Sequence, residues 1–146
     1  MQLPQDAFVM VADGRKMLFF RNEGDAARPN LVVEHARVQN NPPDRDQSSD
    51  APGTAFSSNG SGRSSYQETD FHQLEEDRFA AEVAAMLKQR AFANDYEKLI
   101  VVAPPRTLGE LRKHYHKEVA DRLIGEIDKD LTGHPVDQIE KALAVA

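Results

Sequence analysis

Between Asn40 and Asp70 the chain runs through 31 residues of which Ser, Gly, Pro, Asn and Asp fill twenty, with patterned apolar segments on either side. Such a stretch limits the fold, because connections longer than ~12–15 residues without structure of their own are uncommon in compact domains and are functional or disordered. The apolar segments before it and after it must therefore meet across a long loop, 40–70. Its composition predicts a flexible, solvated loop. A shaped binding loop is the other reading. Phe56 and Tyr66 would anchor it, Gly60 and Gly62 would let backbone approach a ligand, and the neighbouring hydroxyls with Arg63 would hold an anion.

The rest of the chain is rich enough in apolar residues for one domain spanning 1–146, within the ~100–150 residues typical of domains. The absence of cysteine removes disulfides, thiolate metal sites and thiol catalysis, and suits a reducing compartment. The N-terminus lacks a basic region followed by an apolar core, and no apolar run approaches the ~20 residues that span a bilayer. A cytoplasmic protein without membrane insertion is the expectation.

Net charge is −6, which argues against general adhesion to nucleic acid, but the charges are segregated. Tyr66 to Glu97 holds eight acids against three bases, whereas Lys98 to Arg122 holds six bases against three acids. A local basic face on an acidic protein is one reading; a solvated helix face of mixed charge is the other.

Apolar Ala7 to Ala12, then Asp13-Gly14, then Lys16 to Asn22 reads as a hairpin with a tight turn, and Leu31 to Val38 as a third strand. Phe79, Val83, Met86 and Leu87 recur at helical spacing, and Asp70 with Gln73 resembles a capping box, so a helix is expected over His72 to Arg90. Lys98 to Ala103 is a continuous apolar run, as in a strand buried on both faces. Pro104-Pro105 should end it, with Thr107 capping a helix from Leu108. The segment 119–128 fits either a helix or a strand. A strand is preferred, because one long helix would bury Gly125 in its interior. Pro135 opens a last helix. The order β-β-β-α-β-α-β-α describes an α/β domain, three-layered with a mixed sheet, similar to the ribonuclease-H-like arrangement.

Several blocks then stand out: Phe56-Ser57-Ser58 with Gly60-Ser61-Gly62-Arg63, Asp77-Arg78-Phe79-Ala80, the run from Val102 to Arg112, and Lys129-Asp130-Leu131-Thr132-Gly133-His134-Pro135. Together they resemble the bacterial host attachment protein family over essentially the whole chain. That family takes its name from attachment to host cells. It is similar in turn to the middle domain of eukaryotic and archaeal class-one peptide release factors, whose Gly-Gly-Gln loop precedes a long helix and reaches the ribosomal peptidyl-transferase centre. Gly60, Gly62 and Arg63 would occupy the equivalent loop. The sequence there reads Gly-Ser-Gly-Arg with no glutamine after the glycines. The resemblance therefore implies a ribosome- or structured-RNA-associated binding module that is not a peptide-release enzyme.

From the residues themselves, Arg106 and Thr107 stand where a strand meets a helix N-terminus, a geometry whose free amides and dipole attract phosphate. Arg112 and Lys113 extend the basic character along that helix. No cofactor is implied, since the glycine loop lacks the Gly-Lys-Ser/Thr ending of a nucleotide-binding P-loop. An enzymatic alternative pairs Asp13, after the first strand, with Asp128 or Asp130, after the last, around metal ions in a nuclease of ribonuclease-H-like fold. Their plainer reading is a turn residue and a polar strand exit. No histidine pair has the spacing of a zinc site; His114 and His116, two apart, fall on different faces of any helix containing both. A protein or cell-surface partner is the remaining alternative.

Overall fold

The computed structural model describes residues 2–38 and 61–146, with the backbone alone described for 61–70. The Asn40–Gly60 part of the expected loop, with Phe56 and Gly60, lies outside the described residues.

Strands β1 (Phe8–Ala12), β2 (Lys16–Asn22), β3 (Leu31–Val38), β4 (Leu99–Val102) and β5 (Leu123–Ile127) form one sheet in the order β3-β2-β1-β4-β5. The two hairpin pairings, β1–β2 and β2–β3, are antiparallel; β1–β4 and β4–β5 are parallel. This is the expected α/β class with a mixed sheet. Helices α1 (Ser61–Phe92), α2 (Pro105–His114) and α3 (Lys117–Arg122) precede β5, and α4 (Val136–Ala144) follows it.

Alternation along each strand sorts side chains to two faces. Phe8, Met10 and Ala12 of β1, with Met17, Phe19, Leu99 and Val101, pack against Phe79, Val83 and Leu87 of α1 and Leu108 and Leu111 of α2. Val9, Val11, Phe20, Ile100 and Val102 face Ile139 and Leu143 of α4. Both faces of β1 and β4 are covered, which is why these strands read as unbroken apolar runs.

Three expectations need correction. Helix α1 begins at Ser61, so residues 61–70 are helical and Gly62 and Arg63 sit in its first turn, not in a loop. Extending a helix already nucleated downstream adds a hydrogen bond per residue without a new nucleation cost, which outweighs the weak propensities of Ser and Gly. Asp70 is consequently inside α1 and not at its start, and Gln73 Nε2 donates forward to Asp77 Oδ1 at 2.8 Å. Secondly, Thr107 is not the cap of α2: Pro104 holds that position without a side-chain hydrogen bond, and Pro105 begins the helix. A proline there loses nothing, because first-turn amides have no partner within the helix. Thirdly, 119–128 is divided. The short helix α3, absent from the expected order, runs into the preferred strand, β5.

Helix α1 stops where Asn94 takes a left-handed conformation with φ of 58°, its N–H donating to Ala91 O, a helix ending to which asparagine is suited. Buried Asn22 locks the β2–β3 connection. Its Nδ2 donates to Leu3 O and Pro4 O, both at 3.1 Å, while its Oδ1 accepts from Gly24 N and Asn30 N.

Candidate functional site

Parallel strands β1, β4 and β5 end on the same edge of the sheet, the edge at which α/β proteins place their ligands. Three segments leave that edge: the Asp13–Lys16 turn after β1, the Pro104–Thr107 entry to α2 after β4, and residues 128–132 after β5. Sequence order therefore delivers Asp13, Arg106 and Asp130 to one end of the molecule.

Asp13 organises its own turn. Its Oδ1 accepts from Arg15 N at 2.7 Å and Lys16 N at 2.6 Å. Its Oδ2 accepts from Thr132 Oγ1 at 3.0 Å, and the same hydroxyl lies 2.9 Å from Asp130 Oδ1. A threonine hydroxyl carries one proton, so it serves one of these carboxylates at a time. Lys16 Nζ lies 3.4 Å from Thr132 O and brings a positive charge to the pair. The acid that shares a partner with Asp13 is thus Asp130; Asp128 is exposed at the strand exit. Among the described residues, no three His, Cys, Asp or Glu side chains gather as a metal site would require. The contacts are those of a staple between the β1–β2 turn and the segment after β5.

Beside this staple, a shallow cleft between α1 and α2 is lined by Gly14, Gln73, Glu76, Ala80, Arg106, Thr107 and Glu110. Gly14 lets the hairpin approach α1 closely, since a Cβ there would lie 2.8 Å from Glu76 Cδ. Arg106 is exposed, and Thr107 is half-buried. Because Pro104 supplies no side-chain cap, the first-turn amides of α2 and the Arg106 guanidinium share one rim of the cleft. The Oε1 of Gln73 is buried with no hydrogen-bond partner among the described residues.

The other expected cations are engaged. Arg112 Nε donates to both carboxylate oxygens of Glu126 on β5, at 3.2 and 3.1 Å, and this pairing pushes the arginine above its usual range. Lys113 Nζ bonds Glu110 Oε1 at 3.0 Å, which holds the Glu110 carboxyl below the usual carboxylate range. Helical geometry puts Arg106, Glu110 and Lys113 on one face of α2, while Arg112 is turned from it toward β5. Arg106 and Thr107 line the cleft together, Lys113 lies two turns along the helix from Arg106, Arg112 stands aside, and Arg63 has only its backbone described. His114 and His116 do not share a helix: α2 ends at the first, and the second is the N-cap of α3, its Nδ1 accepting from Glu118 N.

No helix among the described residues is long and apolar enough to cross a membrane. The chain belongs to the bacterial archaeo-eukaryotic release factor family 12, whose model matches residues 6–143. No curated protein matches it significantly. The match agrees with the release-factor likeness seen in the sequence, and its description does not extend to host attachment.

Proposed function

We propose that this protein is a non-catalytic, cytoplasmic binding module of the translation apparatus that docks on the ribosome or another structured RNA through the α2 face bearing Arg106, Thr107 and Lys113. Arg112 lies beside that face, and Gly60, Gly62 and Arg63 are further contacts. The supporting observation is Arg106. It is exposed in the uncapped first turn of α2, and no carboxylate among the described residues is paired with it. Family membership supports a partner in the translation apparatus.

The electrostatics favour a polyanion over a small anion. Glu76 and Glu110 share the cleft with Arg106 and oppose a lone phosphate placed there. A nucleic-acid backbone gains from several cations at once, and counterion release adds to each contact. Arg112 and Lys113 must exchange a carboxylate for a phosphate, so each contributes less than Arg106. The Gly-Ser-Gly-Arg segment does not carry the Gly-Gly-Gln chemistry of peptide release, and the module is read as binding without hydrolysis.

The test is equilibrium binding of purified ribosomes to the labelled protein. Arg106→Ala should weaken binding about tenfold and reduce the salt slope by about one, and Arg112→Ala should do less. Equal affinities for wild type and Arg106→Ala would remove the site from the account.

A further inference from the structure

A second feature lies at the other end of α2. The ring of Phe92, the last residue of α1, is 58% exposed, while its neighbours Leu87 and Ala91 are fully buried. Two nitrogen-bearing side chains lie against it, and a third follows in sequence. The His116 ring meets it edge-on with centroids 5.1 Å apart, Lys88 Nζ lies 6.0 Å from its centroid, and Lys117 follows His116 in the first turn of α3. Because His116 Nδ1 accepts from Glu118 N, the neutral ring carries its proton on Nε2, which can then donate to a ligand. Glu118, the nearest acid in sequence, is paired with Arg122. An exposed aromatic face fringed by cations and a donor has the composition of a base-stacking platform: the ring takes a nucleobase, and the cations take the flanking phosphates.

We propose that Phe92, with Lys88, His116 and Lys117, stacks an unpaired nucleobase of an RNA ligand. This deepens the RNA-binding reading and rests on it. The ten residues of α2 span about 15 Å and separate Arg106 at one end from the start of α3 at the other. Lys113, two helical turns from Arg106 on the same face, lies on the way. A single strand laid along α2 would meet Arg106, Lys113 and then the Phe92 ring. An apolar peptide is served less well by this surface, because the side chains recorded against the exposed ring, Lys88 and His116, are polar or charged.

The probe is a fluorescein-labelled ten-residue oligoadenylate, whose purine bases stack strongly, measured by anisotropy with the full chain. Phe92→Ala and Phe92→Leu should each weaken binding about tenfold or more, and Phe92→Tyr, which keeps the aromatic face, should bind as the wild type does. Phe92 is exposed, so all three variants should melt with the wild type. Wild-type affinity in Phe92→Leu would overturn the proposal, as would no binding of the oligonucleotide by the wild type. Ribosome binding that depends on Arg106 but is unchanged in Phe92→Leu would defeat the stacking platform and leave the proposed function intact. Oligoadenylate binding that depends on Phe92, without ribosome association, would do the reverse.

Discussion

Thr132 Oγ1 lies 3.0 Å from Asp13 Oδ2 although 119 residues separate them in sequence. The contact ties the first hairpin turn to the segment leaving the last strand, and the turn, through Gly14, lines the cleft that carries Arg106. Its consequence is mechanical: the carboxyl edge of the sheet is tied across β4, the strand that leads into α2.

Thr132→Val keeps the shape of this side chain and removes the hydroxyl shared by Asp13 and Asp130. The variant should lose about 1–2 kcal/mol of stability in urea denaturation, with an unchanged m-value. A loss within error of zero would mean that the two carboxylates are equally well served by water.

Asn22 is fully buried, and all four of its side-chain contacts go to backbone groups. Asn22→Asp replaces a donor facing two carbonyls with an acceptor and buries a charge. A destabilisation of about 2–4 kcal/mol is expected, with faster amide exchange in the 23–30 connection. Wild-type stability would show that the connection holds without it.

Tyr96 gives the alkaline limit. Its hydroxyl donates to Leu87 O at 2.8 Å, and burial pushes the phenol up to about 12, against the pull of Arg122 and Arg90. The folded value lies above the ordinary 10.0, so the folded chain holds this proton more tightly than the unfolded chain. The stability involved is complete below pH 10 and is lost as pH rises through the interval up to about 12. Burial also raises Tyr115, which adds in the same direction. Tyr96→Phe should cost about 1 kcal/mol at neutral pH and flatten the alkaline decline in melting temperature. A decline of unchanged steepness would assign it to other groups.

Much of this was legible in the sequence. Unbroken apolar runs announced β1 and β4, because strands covered on both faces have no polar side to alternate. The interior cost of Gly125 favoured the strand that became β5. What the sequence hid depends on contacts between distant segments or on balances too fine for propensity. Ser61 to Asp70 looks like loop by composition and is held as helix by its continuity with the packed turns after Phe79. Pro104 rather than Thr107 is the N-cap of α2 and Pro105 begins it, because an N1 proline loses no hydrogen bond. The charges of Arg112, Lys113 and Arg106 look equivalent in the sequence. Only packing shows that Glu126, from the next strand, engages the first, and that Glu110, at helical spacing from both Lys113 and Arg106, pairs with Lys113. Asn22 resembles any polar strand end until Leu3, Pro4, Gly24 and Asn30 converge on it.

The central claim is that this member of the release-factor family binds the ribosome or structured RNA by phosphate contacts, and co-sedimentation with purified ribosomes at two salt concentrations tests it most directly. The account predicts that the protein pellets with ribosomes at about 50 mM salt and is released at about 500 mM, because each phosphate contact is weakened by competing cations. Protein remaining in the supernatant at both concentrations would contradict it, and would turn the search toward a protein or cell-surface partner.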